Sequence, residues 1–491
     1  MEPDCRLVTS ADVAPDGPYI ALSHCWGRVE CLKLKVSNFA QMQAGIPFST
    51  LPQLYRDSVL VVRKLGMRYL WIDSLCIIQE GDSQEDWARE VQTMGDVYAK
   101  AFCTISAAVA PDGDHSMFQA RNPDTLNSQV VFFNIDGQVE PYLLSDAWTW
   151  EMEIEEALIN TRGWVLQERL LSPRVIYFGK RQVFWECREG HACETYPTGI
   201  PGLNHNMVQD YKNQVSMWKI MTQEEKSASG YVMWSKVVTV YTKCGLSFPS
   251  DKLVALSAVA KSMEANLQDD YIAGMWRRVL SFDLLWSLAP AFARHATRPS
   301  QYRAPTWSWM AIDGVVGHTG PLEIDDSELL YEVVDLDLTS SPENGTGSVQ
   351  HGWLRLRGRV KRLTLTHEDV DLWFDEDDWS MSIDGTHLSI PTVPEELQPH
   401  VMLDPPYEGV TWQRVPADLY CMPTRLCEDE FGDLHLLILQ AVDRRKGIYQ
   451  RAGLVQGWSE TAMDILMQAK GQDFDIPCEK YHNGRYQIKV V

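Results

Sequence analysis

The alternation of apolar and polar positions predicts a strand–helix–strand unit between Arg68 and Ala108. Tyr69–Ile72 is an apolar run too short for a helix and rich in strand-forming residues. After a polar loop and a helix, Phe102–Ala107 repeats the strand pattern. Between the two runs, apolar residues recur at steps of four and three on one helical face: Trp87, Val91, Met94, Tyr98 and Ala101. This order with short connections is typical of a parallel βαβ unit.

The helix of this unit has its own start signal. Asp82 or Ser83 is placed to cap the first turn, and acidic residues cluster there, as the helix macrodipole favours. Earlier in the chain, Tyr19–Ser23 predicts a strand, and a helical pattern follows with Thr50 as its cap and Pro52 in its first turn. The N-terminal part of the chain is therefore predicted to form a small, open, mostly parallel α/β sheet.

A second dense pattern lies between residues 160 and 189. Thr161–Leu171 predicts a helix, and Pro173 ends it because proline cannot continue the hydrogen-bond ladder. Val175–Phe178 and Gln182–Cys187 then predict a hairpin around a Gly-Lys turn.

The remaining chain changes from helical to strand periodicity. Tyr211–Met263 and Ile272–Leu288 predict helices, whereas Arg303–Asp313 alternates like a strand. Later runs alternate over short distances and are separated by Pro and Gly, which predicts β structure. These runs are Trp353–Val360, Arg362–Leu365, His387–Ile390, Asp433–Gln440 and Gly453–Gln456. We therefore predict an α/β domain at 1–200, a mainly helical region at 201–325 and a β-rich C-terminal domain at 326–491.

The length and net charge of the chain exclude some classes of function. A chain of 491 residues suffices for two or three domains, and 45% hydrophobic content permits a full core. The formal net charge of −23 argues against nonspecific binding to nucleic acid or to an anionic membrane. Part of that charge lies in Glu368–Asp378, which has the composition of a solvated acidic loop. The 18 Trp residues are numerous enough to build a core and to line a ligand cleft.

The sequence gives no signal for secretion or membrane insertion. No apolar stretch reaches the roughly 18 residues that a spanning helix needs. The N-terminal segment lacks the basic and apolar regions of a signal peptide. The 11 Cys residues are scattered and odd in number, as is typical of a reduced intracellular protein. We therefore expect a cytoplasmic protein without a membrane span.

Two carboxylates are the strongest candidates for chemistry in the N-terminal region. Asp73 follows the strand at Tyr69–Ile72, and ligands of α/β proteins bind where such strands end. Glu90 lies between Trp87 and Met94, beside the apolar face of its helix. A carboxylate held there can act as a general base or stabilise a developing cation. A carboxylate near a helix start also stabilises the macrodipole without any chemistry, and the spacing leaves both interpretations open.

Other constellations give weaker signals. Cys187, His191 and Cys193 are ligand types at short spacing, but no second pair completes a zinc site, so we predict no metal and no bound cofactor. His24 and Cys25 are adjacent, and neighbouring strand residues point to opposite faces, which argues against a nucleophile pair. The standard dinucleotide, phosphate-loop, zinc-protease and hydrolase signatures are missing from the sequence. The residues alone therefore predict a polar cleft but no reaction.

Three segments carry a family resemblance. They are YIALSHCWG at Tyr19–Gly27, the stretch Leu51–Ala108 that opens with LPQLYRDSVL, and TRGWVLQERLLSPRVIYFG at Thr161–Gly179. In order, spacing and length they resemble the fungal heterokaryon incompatibility (HET) domain family. Three later stretches, SDKLVALSAVA, YIAGMWRRVLSFDLLW and YRAPTWSWMAIDG, also resemble full-length members.

The resemblance implies a role in fungal nonself recognition and regulated cell death. It also implies a distant similarity to Toll/interleukin-1 receptor (TIR) domains, whose flavodoxin-like sheet agrees with the predicted strand order. Many TIR domains cleave NAD through a glutamate on the helix after the third strand, and Glu90 occupies the comparable place. Asp73 is the second catalytic candidate. The substrate-binding candidates are Ser23, Trp26, Gly27, Arg162, Trp164 and Glu168.

On this interpretation NAD is a substrate and not a resident cofactor. Loss of nicotinamide passes through an oxocarbenium-like state, which a nearby carboxylate stabilises. Trp26 or Trp164 would stack on the base, and Arg162 would bind the pyrophosphate. The expected partner is therefore a nucleotide or another small molecule.

Two alternatives stay open, since His24 stands where the family often has an aromatic residue and the sequence shows no nucleotide-binding or repeat module. One alternative is a stand-alone enzyme of fungal secondary metabolism with a Trp-lined pocket for an apolar small molecule. The other is a non-catalytic module that works through self-association, which predicts a homo-oligomer.

Overall fold

The structure is a computed structural model in which the chain divides into two compact units. Unit 1 comprises Met1–Thr222 and Cys244–Ser262, and unit 2 comprises Gln223–Lys243 and Met263–Val491. The predicted boundaries near residues 200 and 325 stay a prediction. The residues described are 4–9, 17–28, 31–122, 124, 129–144, 146–201, 207–317, 326–340, 349–367, 379–388, 400–405, 418–426, 434–457, 460–468 and 473–491.

Unit 1 is a mixed α/β unit. Its strands are β1 (Tyr19–Ser23), β2 (Tyr69–Trp71), β3 (Cys103–Ser106), β4 (Gln129–Ile135), β5 (Gln138–Leu144), β6 (Arg174–Phe178), β7 (Val183–Cys187) and β8 (Gly190–Cys193). Its helices are α1 (Phe39–Ala44), α2 (Gln53–Lys64), α3 (Asp73–Cys76), α4 (Glu85–Lys100), α5 (Gly163–Leu171) and α6 (Met207–Met217). Short 3-10 or π turns cover Val36–Asn38, Phe48–Thr50, Glu151–Glu155, Leu158–Thr161, Pro249–Lys252 and Val254–Leu256.

The main sheet of unit 1 contains parallel strands. Its order is β2-β1-β3-β6-β7-β8. The pairs that β1 makes with β2 and β3, and that β3 makes with β6, are parallel, whereas β7 and β8 continue the sheet in antiparallel fashion. The predicted parallel strand–helix–strand unit is confirmed, and so is the predicted hairpin of β6 and β7.

Different helices cover the two faces of this sheet. Successive strand residues point to opposite faces, so Ile20 and Leu22 face one side and Ala21 the other. Ile20 and Leu22 belong to a buried cluster that includes Leu54 of α2. Ala21 packs in a second cluster with Met94 of α4. The apolar strand Tyr19–Ser23 is therefore buried on both faces. This burial holds the start of the following polar loop in one position.

Unit 2 is rich in β structure, as predicted for the C-terminal region. Its strands are β9 (Tyr271–Ile272), β10 (Met275–Trp276), β11 (Ser287–Leu288), β12 (Val316–Gly317), β13 (Glu332–Ser340), β14 (Val349–Gly358), β15 (Lys361–His367), β16 (Trp379–Ile383), β17 (Thr386–Leu388), β18 (His400–Leu403), β19 (Leu419–Leu426), β20 (Leu434–Asp443), β21 (Ile448–Gly457), β22 (Lys480–His482) and β23 (Arg485–Val490). Its helices are α7 (Gln223–Lys243), α9 (Leu280–Asp283) and α10 (Glu460–Met467), while α8 (Ser257–Leu267) begins in unit 1 and ends in unit 2.

One large sheet organises unit 2. It runs in the order β13-β14-β23-β21-β20-β19-β15-β16-β17, with β18 and β22 added to β21 and β23. A buried cluster on these strands includes Leu363, Leu434 and Ile438. Leu363 alternates with polar residues, as on a strand with one buried face, whereas Ile438 lies in an apolar run whose residues are all buried.

The helix predicted at Ile272–Leu288 is wrong. This stretch contains the short hairpin of β9 and β10, the single turn α9 and the strand β11. Ala273 and Gly274 form the hairpin turn with φ of +46° and +96°, in the left-handed region that a helix cannot include. A Cβ at Gly274 would lie 2.8 Å from Nε1 of Trp309, so only glycine fits there.

The strand predicted at Arg303–Asp313 and the cap predicted at Thr50 are also wrong. Within the first segment, residues 304–312 are all buried, and Trp309–Ala311 forms a 3-10 turn capped by Ser308. The alternation of residue types in this segment therefore does not correspond to a strand with one buried and one exposed face. The hydroxyl of Thr50 donates to the carbonyl of Pro47, and α2 begins only at Gln53.

Three further predictions concern the acidic run, a membrane-spanning helix and the cysteine residues. The acidic run Glu368–Asp378 lies outside the described residues. In the described part of the chain, no helix is long and apolar enough to cross a bilayer. The ten Cys residues that the structure describes are free thiols.

Candidate functional site

The carboxyl ends of three parallel strands place polar side chains at one edge of the sheet. Ser23 ends β1, Asp73 follows β2, and Ser106 ends β3. Ser23 and Ser106 are opposite each other in the register, so their side chains lie on the same face. Ligands of open α/β sheets bind at this edge.

Asp73 is held by groups from the loop after β1. Its Oδ2 accepts a hydrogen bond from Nε1 of Trp26 at 2.9 Å, and its Oδ1 lies 3.8 Å from Nδ1 of His24. Oδ1 also accepts the backbone N–H of Ser74 at 2.7 Å. The carboxylate keeps partial solvent access, with 24% of its side chain exposed. It is therefore both oriented and reachable by a ligand.

His24 is a buried imidazole and not a surface base. Its Nε2 lies 3.1 Å from the hydroxyl of Tyr55, which in turn contacts Cys31 Sγ and Ser74 Oγ at 2.8 Å each. Burial lowers the pKa of His24, while the charge of Asp73 raises it and that of Arg162 lowers it. The ring is therefore neutral at physiological pH and positions Asp73 by packing.

Glu168 is the most perturbed carboxyl group of the site. It lies on α5, is buried, and has its pKa raised by burial to about 7. Ser23 and Tyr98 lower that pKa by hydrogen bonding, Asp73 raises it by charge and Arg162 lowers it. Its Oε2 nevertheless makes no well-formed hydrogen bond within the described residues, and neither does the hydroxyl of Ser23. This carboxyl group can therefore exchange a proton near neutral pH.

Arg162 joins the first and third sequence motifs. Its Nη1 donates to the carbonyl of His24 at 2.6 Å. Burial raises the pKa of the Cys25 thiol, and the charge and a hydrogen bond of Arg162 oppose that rise. The guanidinium group thus places positive charge beside Glu168 and the loop after β1.

Trp164 and Gly27 each hold a loop close to a neighbouring segment of the chain. Trp164 donates from Nε1 to Oδ2 of Asp251 at 3.1 Å and packs against the cluster that contains Ala21. Gly27 has φ of +69°, and a Cβ there would overlap Asp112 and lie 2.9 Å from the carbonyl of Pro111. Glycine is therefore required for the close approach of the two loops.

Glu90 lies in the second turn of α4, outside the buried group around Glu168. Its side chain is 34% exposed, and its Oε1 is 3.4 Å from Nε of Arg89. Burial raises the pKa of the Cys76 thiol to about 11, a backbone bond to Ile72 opposes this, and Asp73 and Glu90 add to the rise. The charges of both predicted catalytic carboxylates therefore act on the pKa of the same thiol.

Two site residues were not predicted from the sequence. Tyr98 was counted as an apolar position of α4, yet its hydroxyl donates to the carbonyl of Leu22 at 3.4 Å and faces Glu168. Ser106 is buried without a hydrogen-bond partner in the described part of the chain. The available signal was a serine at the end of each of two neighbouring strands.

The residues Cys187, His191 and Cys193, for which no metal was predicted, lie elsewhere in unit 1. His191 packs edge-to-face against Trp150 with ring centroids 4.2 Å apart, and its Nε2 is 3.6 Å from Oε1 of Glu186. Among the described residues, no group of three or more His, Cys, Asp or Glu side chains is arranged to hold a metal ion.

Comparison with known proteins identifies a family for the N-terminal region. Residues 19–168 match the family model described as "Heterokaryon incompatibility protein (HET)". No curated protein and no solved structure matches the chain. The matched span runs from the start of β1 to Glu168 and so includes every site residue predicted from the sequence.

Proposed function

We propose that this heterokaryon incompatibility-related protein cleaves the N-glycosidic bond of NAD or of a related nucleotide. The proposal starts from the HET domain that residues 19–168 form. The observation that carries the proposal is the convergence of side chains around Asp73 at the carboxyl ends of the strands. Trp26 binds Asp73, and Arg162 and Ser23 surround Glu168, whose pKa is about 7. A cationic sugar, an aromatic base and a pyrophosphate would each find a complementary group here.

The reaction requires few groups. The bond between C1′ of the ribose and the nicotinamide nitrogen breaks, and its electron pair leaves with neutral nicotinamide. The oxocarbenium-like ribose is stabilised by a carboxylate, for which Asp73 and Glu90 are the candidates. Water then adds its oxygen to C1′ and gives up one proton, which Glu168 can accept near neutral pH. The products are nicotinamide, ADP-ribose and a proton.

The sheet order supports a TIR-like interpretation of the domain. In β2-β1-β3-β6, parallel strands leave a switch point between β1 and β3, and the site residues follow the strands that meet there. The proposal includes a flavodoxin-like sheet that binds its ligand at this point. It also includes regulated cell death as the outcome and the cytoplasm as the location.

The test is incubation of the full-length chain with NAD, with nicotinamide and ADP-ribose measured by chromatography and mass spectrometry. We expect Asp73→Asn and Glu90→Gln to lower the rate about 100-fold or more, because each removes a charge that stabilises the cationic transition state. Glu85→Gln is the matched control on the exposed first turn of α4 and should retain the wild-type rate.

Two results would contradict the proposal. One is the absence of nicotinamide release by folded wild-type protein across NAD and its close analogues. The other is equal release by wild type and by both site variants, which would assign the activity to another region or to a contaminant.

A non-catalytic, self-associating module is the second candidate. The observation that favours it is the exposed apolar hairpin of β4 and β5 within the HET domain.

A further inference from the structure

The hairpin of β4 and β5 is a regular element that joins no larger sheet in the described part of the chain. Its register runs from Gln129 opposite Leu144 to Ile135 opposite Gln138. Asp136 and Gly137 form the turn with φ of +52° and +83°, the left-handed values that a type I′ turn requires. Among the described residues, the two strands pair only with each other.

Both faces of this hairpin carry exposed apolar side chains. Phe133 and Tyr142 share one face, where their ring centroids lie 5.5 Å apart, and Phe132 and Val139 share the other. The large apolar side chains are 40–69% exposed: Val130, Phe132, Phe133, Ile135, Val139, Tyr142 and Leu144. A two-stranded hairpin is marginally stable alone, and three or more strands with a covered face are needed for stability. The exposed faces therefore point to a partner.

The outer edge of β5 is closed to strand addition. The two-residue turn makes Ile135 and Gln138 a hydrogen-bonded pair, and alternation then makes Phe132 and Pro141 a non-hydrogen-bonded pair. The backbone groups of such a pair point away from the hairpin. Pro141 has no N–H, so the middle of the β5 edge lacks a donor.

The outer edge of β4 is open. Val130, Phe132 and Asn134 point their N–H and C=O groups outward, symmetrically about Phe132. The strand Gln129–Ile135 contains neither proline nor a charged residue. Proline and charged residues are two of the features by which proteins block an edge strand.

We infer that β4 pairs antiparallel with β4 of a second copy of this chain, giving a four-stranded sheet. The twofold axis passes at Phe132, which lies opposite Phe132 of the partner subunit, and Val130 lies opposite Asn134 of the partner subunit. The contact is self-complementary, as a twofold interface requires. It also brings together two uncharged strands of chains that each carry −23, so it avoids direct like-charge contacts.

Other occupants fit these observations less well. A basic partner would need acidic side chains, and β4 has none. An anionic membrane would be repelled by the net charge of the chain. Because edge pairing buries less than a standard interface, we expect a dissociation constant in the range of roughly 1–100 μM.

The test is sedimentation velocity of the full-length chain from about 1 to 200 μM, a range set by the expected affinity. We expect the 56.0 kDa monomer to convert to a species of twice that mass. Phe132→Pro removes an outward N–H without breaking a bond within the hairpin, and it should shift the midpoint at least tenfold. Phe132→Thr keeps the N–H and should associate more strongly than Phe132→Pro. Pro141→Ala opens the second edge and should give assemblies larger than a dimer.

Disulfide trapping gives an independent measurement. Two cysteines at a hydrogen-bonded antiparallel pair have Cα atoms about 5.5 Å apart, within the range of a disulfide. Phe132→Cys should therefore yield a covalent dimer under mild oxidation, while Val139→Cys, equally exposed but on the β5 edge, should not. A monomer at all concentrations, or equal trapping of the two variants, would overturn the inference. Neither result depends on whether the domain cleaves NAD.

Discussion

Glu168 differs from the surface carboxylates of the HET domain because burial holds it near its neutral form. Its pKa of about 7, against the usual 4.5, arises first from loss of solvent and second from the balance of Ser23, Asp73, Arg162 and Tyr98. These groups come from separate parts of the sequence. Partial protonation of Glu168 at neutral pH is therefore a property of the folded domain.

We expect Glu168→Gln to remove a pH dependence of stability. Below pH 4.5 the carboxyl group is protonated in the folded and unfolded chain alike. Between about pH 4.5 and 7 only the unfolded chain ionises, so the stability that this group contributes is lost as the pH rises, up to about 3 kcal/mol. Relative to the variant, wild type should therefore be less stable at pH 8 than at pH 5.

The measurement is hydrogen exchange of β1 and β3 amides in increasing urea at both pH values. Glu156→Gln, at an exposed position of the same unit, is the control and should follow wild type. Identical pH trends in wild type and Glu168→Gln would show that the carboxyl group is not held neutral.

The helix α4 is stabilised by a carboxylate at its first turn and packs closely against neighbouring residues at its third turn. Asp82 accepts the N–H of Asp86 at 2.8 Å and that of Gln84 at 3.1 Å, so its carboxylate satisfies an N–H of the first turn, although the N-cap position is Gln84 and not the predicted Asp82 or Ser83. In the third turn, a Cβ at Gly95 would overlap Cβ of Ala258 and lie 3.1 Å from Leu171. The glycine lets α4 approach these groups closely.

We expect Gly95→Ala to destabilise unit 1, although alanine favours a free helix by about 1 kcal/mol. The added methyl group must displace Ala258, and such overpacking costs about 1–3 kcal/mol. Gln92→Ala, on the exposed side of α4, should be close to neutral. Thermal unfolding of both variants measures the difference, and a higher midpoint for Gly95→Ala would contradict the close packing.

At the scale of the whole molecule, charge and edge pairing oppose each other. Each chain carries −23, and two chains repel one another at long range. The proposed contact through β4 is uncharged, so its own strength depends little on salt. Screening acts mainly on the repulsion, with a Debye length of about 10 Å at 0.1 M salt.

We therefore expect dimerisation to strengthen several-fold when NaCl rises from about 50 to 300 mM, a range over which the Debye length falls by more than half. Sedimentation at both salt concentrations measures this, and Phe132→Pro should stay mostly monomeric in each. A dimer that dissociates as salt rises would instead indicate an interface held by ion pairs.

Short-range patterns predicted much of unit 1 and left other elements unseen. The strand at Tyr19–Ser23 and the helix over Glu85–Lys100 agree with their apolar periodicity because each is buried along one face or both. The hairpin at Gln129–Leu144 was not predicted, although an Asp-Gly turn lies between apolar runs. At Ile272–Leu288, helical spacing was overridden by a left-handed turn that tertiary packing stabilises.

The sequence by itself determined the succession of strands and helices along the N-terminal chain, the HET motifs and the polar loops that follow the strands, because these depend on local periodicity and fixed spacing. Only the tertiary structure decided that Glu168 is buried and protonatable, that Tyr98 turns its hydroxyl toward it, and that Glu90 stays partly exposed. Burial and electrostatics sum over groups far apart in the chain, so no local pattern contains them. The open edge of β4 likewise becomes visible only when the register places Pro141 on the opposite edge.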